Sequence, residues 1–446
     1  MTGRERARTR RGRPRRADDR PTPRSVASDV VRRVTEEGAY SNLALSRTLS
    51  RAGLEGRDAA FATELTLGTL RRLRRIDHAL APLLERPLET APKAARALLR
   101  VGAYQLLFLR TPAHAAVAET VALAEPRHRG FVNAVLRRLS TAPEAEPAGD
   151  DDESVALRTG LDPWAVRELR RLLGDEEAEA AAAALAQPAP TTIRANPCRT
   201  SLEELERELS ASGVRTERGS MSAGSLIVAG SSPAGLPGFG EGRFTVQDQA
   251  STFVVQALDP RPGERVLDAC AGPGGKAGDI ACRVTAEGAL VAADVHEARA
   301  RLVRTTLERL GAQGHVLVQD GRRPALRGPF DRILVEAPCS GLGSARRRPE
   351  LLWRTRREEL SGLARLQVGI VSALAELLRP GGVLVYSVCT FPRAETDAAC
   401  DAVLRRRPEL EPVRLAGPEG AAPRIRLWPH RHGVDAMFVA AFARRG

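Results

Sequence analysis

Two of the six cysteines stand where a thiol could do covalent chemistry. Cys339 lies in Glu336-Ala337-Pro338-Cys339-Ser340-Gly341 and Cys389 in Tyr386-Ser387-Val388-Cys389-Thr390, each directly after an apolar run that reads as a strand. A thiolate is a strong nucleophile, but it needs access and a lowered pKa. The C-terminal ends of strands in an α/β sheet supply the access. Cys198, Cys270, Cys282 and Cys400 are scattered. No C-x-x-C pair occurs, which speaks against zinc, and in a reducing compartment no disulfide is expected. Their default is the small buried hydrophobe.

A third stretch is suited to holding a ligand. Val266-Leu267-Asp268 runs into Ala269-Cys270-Ala271-Gly272-Pro273-Gly274-Gly275-Lys276 before a helix. Glycines let the backbone approach a ligand closely, and a helix N-terminus favours negative charge. A P-loop fails here: Cys270 stands where its first glycine belongs, and Ala277 where Ser or Thr must hold magnesium. A dinucleotide fingerprint fits formally on Gly272, Gly274 and Ala277, with Asp294 twenty residues past Gly274. S-adenosyl-L-methionine (SAM) fits too, its carboxylate using the amide-rich turn and the Lys276 ammonium. Either ligand would place Asp294 on ribose hydroxyls. Asp320 tilts towards SAM, because a carboxylate there can accept from an adenine amine. The loop alone leaves both open.

These residues require a sheet whose strand ends converge. The last third of the chain alternates strand and helix, as a parallel sheet covered on both faces demands. The spacing predicts strands at Arg265–Asp268, Ala289–Asp294, His315–Val318, Arg332–Val335 and Val383–Ser387. Helices are expected near Gly278–Val284, Glu297–Leu310, Glu358–Leu378 and Ala394–Arg405, with a closing antiparallel strand at Phe438–Phe442. The cysteines and the glycine loop then share one sheet edge.

Upstream, residues 25–140 carry apolar residues at helical spacing (Val30, Val31, Val34; Leu65, Leu70, Leu73; Leu98, Leu99, Val101) with Pro-marked loops. Arg71, Arg72, Arg74, Arg75, Arg137 and Arg138 could face phosphates, or simply water. Residues 141–153 read as an acidic, Pro-rich linker, and residues 154–235 as a small α/β connector. Helices are expected there around Asp162–Leu173 and Asp175–Ala186, then strand, helix, strand, strand at Thr191–Ala195, Ser201–Ser212, Val214–Glu217 and Leu226–Ala229. The fold class is therefore multidomain: all-α, then a small α/β connector, then a Rossmann-like α/β domain at 236–446. Residues 1–24, with ten arginines and no apolar periodicity, read as a disordered basic tail.

A formal charge of +13 suits a polyanionic partner. Only Lys93 and Lys276 are lysines, so part of that charge reflects a bias towards arginine, and Lys276 stands out against it. No apolar run approaches the roughly 20 residues of a membrane helix, and no apolar signal core opens the chain. A cytoplasmic protein without a membrane partner is expected.

The stretches RDAAFATELTLGTLRRLRRIDHAL, LLRVGAYQLLFLRTPAHAAVAETVALA and GFVNAVLRRLS resemble the NusB-like RNA-binding domain. FTVQDQAS, DACAGPGGK, the APCSG loop, LVYSVCT and the terminal LWPHRHGVDAMFVA follow in an order that resembles the RNA cytosine-5 methyltransferase superfamily, and within it the bacterial RsmB (Sun/Fmu) group. The resemblance spans residues 25–446. It implies SAM-dependent methylation of C5 of a cytosine in 16S ribosomal RNA or a small-subunit precursor. By position, Cys389 is the nucleophile that adds to C6 and Cys339 helps resolve the adduct. DNA cytosine methyltransferases place the nucleophile in a Pro-Cys loop, which would give that role to Cys339; the cysteine after LVYSV favours the RNA assignment. Cys270, Ala271, Gly272, Pro273, Gly274, Gly275, Lys276, Asp294, Arg299, Asp320 and Glu336 form the implied cofactor set, with Glu336 also at the catalytic centre. A monomer without a metal is expected. Two departures stand out: Glu336 replaces the usual Asp before A-P-C, and Asp435-Ala436-Met437 replaces a Gly-Phe pattern. Arg346, Arg347 and Arg348 are candidates to grip RNA phosphates. The rival readings are a non-catalytic NusB-like antitermination protein, an NAD-dependent oxidoreductase, and the same chemistry on another RNA.

Overall fold

The computed structural model describes residues 20–141, 147–230, 233–285 and 287–446. Most of the expected basic tail, and residues 142–146 of the expected linker, lie outside the described residues. The chain divides into two compact units, with the boundary at residues 145 and 146.

The first unit is helical: α1 (Pro23–Glu37), α2 (Ser41–Ala52), α3 (Gly56–Arg71), α4 (Leu73–Leu80), α5 (Lys93–Phe108), α6 (Ala113–Ala122) and α7 (Pro126–Thr141). Thr22 caps α1 in a capping box with Ser25, and Pro23 suits its first position. The α1 row Val26, Val30, Val31 and Val34 is buried, and α1 packs on α2, α3 and α5. The arginines expected to meet phosphates divide. Arg71 is buried inside the bundle, a correction forced by its place on the core side of α3. Arg72 and Arg75 lie over the Phe108 ring, and Arg137 and Arg138 are exposed.

The second unit opens with α8 (Asp152–Thr159), α9 (Pro163–Leu173) and α10 (Asp175–Leu185). Helix α8 begins inside the stretch expected to be a linker. Asp151 caps it by accepting from the Glu153 and Ser154 amides, and Asp152 and Glu153 favour its positive end. The acids mark a helix start. Next come β1 (Thr191–Ala195), α11 (Leu202–Ala211), β2 (Thr216–Arg218), β3 (Ser225–Val228) and β4 (Phe244–Val246), in a sheet ordered β2-β3-β1-β4. Strand β4 lies past the expected boundary at 235, yet it pairs with β1, Phe244 opposite Ala195.

The remaining elements are α12 (Gln249–Leu258), β5 (Arg265–Asp268), α13 (Gly275–Val284), β6 (Ala289–Asp294), α14 (Glu297–Leu310), β7 (His315–Val318), β8 (Phe330–Glu336), α15 (Leu351–Arg354), α16 (Leu360–Leu374), β9 (Leu378–Val388), α17 (Asp397–Arg406), β10 (Leu410–Val413), β11 (Leu415–Gly417), β12 (Gly420–Ala422), β13 (Arg424–Leu427), α18 (Pro429–His432) and β14 (Met437–Arg444). The main sheet runs β10-β14-β9-β8-β5-β6-β7, with β13 also on β14. Strands β5 to β9 are parallel and β14 is antiparallel to β9. Strand β5 lies between β6 and β8, which makes the ends of β5 and β8 the switch point where such sheets open a crevice. Val254, Ile280 and Val303 belong to one core cluster of this domain; Ile370, Leu374 and Val403 belong to a second.

Two further expectations are corrected. The segment Arg357–Leu377, 21 residues containing an 18-residue window with a mean hydropathy of 1.3, is long and apolar enough to cross a membrane. Its apolarity serves the sheet, since Ile370, Val371 and Leu374 are buried in a core shared with Ile333 and Leu384. Cys198 and Cys282 form a disulfide. Asn196 donates to the Gly242 and Leu310 carbonyls and so draws the loop after β1 onto the last domain. The two Cα atoms end 5.5 Å apart, within bridging range.

Candidate active site

Four strand ends meet at the crevice. Asp268 closes β5, Asp294 closes β6, Glu336 closes β8, and Val388 closes β9 one residue before Cys389. The β8–β9 register sets Glu336 opposite Ser387, so both cysteine loops leave the sheet at one level.

The glycine loop is built for close backbone approach. Gly274 has φ +107° and precedes α13; a Cβ there would come within 3.0 Å of the Val303 Cα and the Thr306 Cβ. The Gly272 amide donates to Asp294 Oδ2 at 3.2 Å, and the His296 amide donates to Oδ1 at 2.9 Å. Arg299 Nε lies 3.1 Å from the same Oδ2. Lys276, nearly buried, sets its Nζ 2.7 Å from Glu336 Oε1. Lys276 and Glu336 line a cleft of about 220 Å³ with Ala271, Gly272, Pro273, Gly275, Gln247, Asp248, Ser251, Arg347 and Asp435.

Two expected cofactor residues behave differently. Asp320 is absent from the cleft lining; Arg322 takes both its carboxylate oxygens and holds its pKa down at about 2. Burial pushes the Cys270 thiol up to about 12, helped by the charges of Asp268 and Asp294, so it is a poor nucleophile.

Asp268 is the acid that sequence reasoning passed over, and its signal was only its place at a strand end. Burial first, then the charge of Glu336, raises it to about 7, and its Oδ1 has no hydrogen-bond partner among the described residues. Its ordinary value is 3.8, so the folded state binds this proton more tightly than the unfolded chain. Its contribution to stability therefore declines as pH rises from about 4 to about 7 and then levels off. Asp268→Asn should gain Tm relative to the wild type across that window and keep a constant difference above it. A difference that stays flat from pH 4 to 7 would refute the shift.

The two candidate thiols touch. Cys339 Sγ and Cys389 Sγ are 3.5 Å apart, both partly exposed. The hydrogen bond from Cys339 lowers the Cys389 pKa, and Lys276 and Arg348 add to this against burial and Glu336. Cys339 moves well up, through that same bond, through burial and through the charge of Glu395. Cys389 ionises first.

Gly343 locks the loops together. Its amide donates to the Cys389 carbonyl at 2.9 Å, and its own carbonyl accepts from the Ala436 amide at 3.1 Å. A Cβ there would sit 2.0 Å from the Ala436 oxygen and 2.9 Å from the Cys389 carbonyl carbon. Gly343→Ala should cost about 2 kcal/mol or more of stability and displace Cys389, because backbone cannot yield as a side-chain tip does. A variant with wild-type Tm and activity would contradict this.

The three arginines after the Pro-Cys loop are committed within the protein, which corrects their reading as phosphate grips. Arg346 donates to the Gly433 carbonyl, Arg347 bridges Asp248 (2.7 Å) and Asp435 (2.9 Å), and Arg348 lies 3.8 Å from buried Glu350. The carboxylate partners of Arg347 are 88 and 99 residues away in the chain, so no local pattern announces them.

Comparison with known proteins agrees with this arrangement. The family model described as 16S rRNA methyltransferase RsmB/F matches residues 255–443. The NusB family matches 21–141, and the ferredoxin-like domain of RsmF/B-like methyltransferases matches 162–234. Ribosomal RNA small subunit methyltransferase B of Vibrio cholerae is 34% identical over 431 residues, covering 93% of this chain and 98% of that protein. The crystal structure of PH0851 shares the fold, with a TM-score of 0.83 at 24% identity over 95% of this chain and 99% of that one. The structure of NSun6 from Pyrococcus horikoshii with SFG gives a TM-score of 0.58 at 22% identity, over 63% of this chain and 98% of that one.

Proposed function

The chain belongs to the 16S rRNA methyltransferase RsmB/F family, and on that premise we propose that it methylates C5 of a cytosine in 16S ribosomal RNA through Cys389. S-adenosyl-L-methionine is the cofactor, which closes the choice left open by the glycine loop. The residues at the crevice fit its polar groups: an amide-lined turn, the ammonium of Lys276, the Asp294 carboxylate, and a buried Asp268 oxygen with no partner. When bound it supplies an electrophilic methyl group. We assign Lys276, Asp268, Asp294 and the Gly272–Gly275 turn to holding it. Arg299 orients Asp294, and Asp320 is left to its arginine.

The observation that carries the reading is the pair of sulfurs 3.5 Å apart beside the cleft. Ring carbon C5 of cytosine is a poor nucleophile. Addition of the Cys389 thiolate to C6 pushes an electron pair towards C5, which then behaves as an enamine carbon. After the methyl group is in place the C5 proton must pass to a base. The electron pair of that C5–H bond re-forms the C5–C6 double bond and expels Cys389 as thiolate. Cys339, 3.5 Å from Cys389, is the side chain positioned to take the proton, which it does as a thiolate once its own resting proton has gone to solvent. Glu336, one methylene longer than Asp, is steered by Lys276 to the cleft side of the pair. A base within an RNA helix must be flipped out to reach these thiols.

Bisulfite sequencing of 16S rRNA tests the reading. A deletion strain should lose one protected cytosine and regain it with the wild-type chain. An unchanged pattern would overturn C5 methylation of this RNA.

A further inference from the structure

Glu395 follows Cys389 by six residues, on the turn Arg393–Glu395, and is completely buried. A buried carboxylate is costly unless it is paired or fully hydrogen-bonded. No ion pair involves it among the described residues, and three donors stand in for one. Its Oε1 accepts from the Ser340 amide and from Gln367 Nε2, both at 2.9 Å, and its Oε2 accepts from Ser340 Oγ at 2.5 Å. Because the Ser340 hydroxyl donates to Glu395, the Thr390 hydroxyl, 2.7 Å away, must donate to Ser340. Gln367 uses its other N–H on the Pro338 carbonyl at 2.9 Å. Tyr386 OH reaches the Glu395 carbonyl at 2.6 Å and Gln367 Oε1 at 3.1 Å.

The bonds are placed with a purpose. Pro338 and Ser340 flank Cys339, and Thr390 follows Cys389, so the carboxylate grips Ser340 directly, reaches Pro338 through Gln367, and reaches Thr390 through the Ser340 hydroxyl. We propose that Glu395 is the positioning residue of the cysteine pair: it fixes the Cys339 loop against the Cys389 loop, and its charge keeps the shared proton on Cys339. This rests on the two-cysteine reading above. The other groups facing the pair divide by sign. Lys276 and Arg348 favour a thiolate at Cys389, Glu336 opposes it, and Tyr386 and Cys400 behind the loops stay neutral with raised pKa values. On the Cys339 side the negative charge is first that of the Cys389 thiolate and then that of Glu395, whose own pKa burial raises against the bonds from Ser340 and Gln367.

Glutamine separates the charge from the brace, since it can keep contacts to Ser340 and Gln367 once the hydroxyl protons turn round. The test is alkylation of the full chain by iodoacetamide across pH 6–10, with each cysteine followed by peptide mass spectrometry. Cys270 and Cys400, both pushed up to about 12 by burial, serve as slow internal references. In the wild type Cys389 should react first. In Glu395→Gln the preference for Cys389 over Cys339 should shrink by roughly tenfold, the equivalent of one pKa unit, as the Cys339 profile moves to lower pH. In Glu395→Ala, kcat should also fall while KM for SAM holds, because the cofactor turn is untouched. A folded Glu395→Gln variant with the wild-type preference would overturn the proposal. The ratio needs no turnover, so it stays readable if Cys389→Ala still methylates RNA, the result that would sink the two-cysteine reading itself.

Discussion

Cys389→Ala should abolish methylation of 16S rRNA, lowering turnover by more than about 10⁴-fold, the scale on which an enzyme loses its nucleophile. The expectation is strong because nothing nearby can substitute. Cys270 is held neutral by burial, and Cys339 is the more basic thiol of the pair. Fold loss would not confuse the result, since the side chain is partly exposed and the loop is held by its carbonyl through Gly343. SAM binding should survive, because the cleft lining does not include Cys389. Methylation persisting in this variant, read by bisulfite sequencing, would reject the assignment.

Cys339→Ala should fail at the opposite end of the reaction. Attack and methyl transfer need only Cys389, so the base becomes bonded to the protein. Release then stalls, and a covalent RNA–protein species should accumulate, visible as a shifted band on denaturing gels that disappears on RNase treatment. Multiple turnover should fall by roughly 10²–10⁴-fold, the usual worth of a positioned proton-transfer group. A trapped band in Cys389→Ala but not in Cys339→Ala would exchange the two roles. The double variant should trap nothing.

How much of this could be read from the chain depends on the distance over which each feature is decided. Helix Glu297–Leu310 and the strands at 265–268, 289–294 and 315–318 were legible to the residue, because apolar period and glycine or aspartate punctuation are local signals. Strand β9 starts five residues earlier than expected, since Leu378 already pairs with Phe330 of β8 and Pro380-Gly381-Gly382, which looks like a turn, is an irregularity within the strand before pairing resumes at Val383. The cysteines and the glycine loop announced themselves by their neighbours. Glu395 did not. Its partners Ser340 and Gln367 are 55 and 28 residues away, and their meeting is a product of the folded sheet. The same holds for the Cys198–Cys282 bridge, closed across 84 residues, and for Arg347, whose carboxylates Asp248 and Asp435 come from elsewhere. The sequence pointed to the reactive atoms far better than to the scaffold that aims them.

The helices α8 to α10 carry a consequence for anyone dissecting this enzyme. Val155, Leu161, Val166, Leu169, Ala181 and Leu185 share one apolar cluster with Leu342, Ala345, Phe391 and Trp428, which belong to the stretches just beyond Cys339 and Cys389 and to the C-terminal motif. A fragment cut at residue 236 would keep every reactive group and the whole main sheet, yet strip the greasy backing from both cysteine loops. A catalytic fragment must therefore begin before α8, and in this enzyme the part that looks like a spacer is half of the mould.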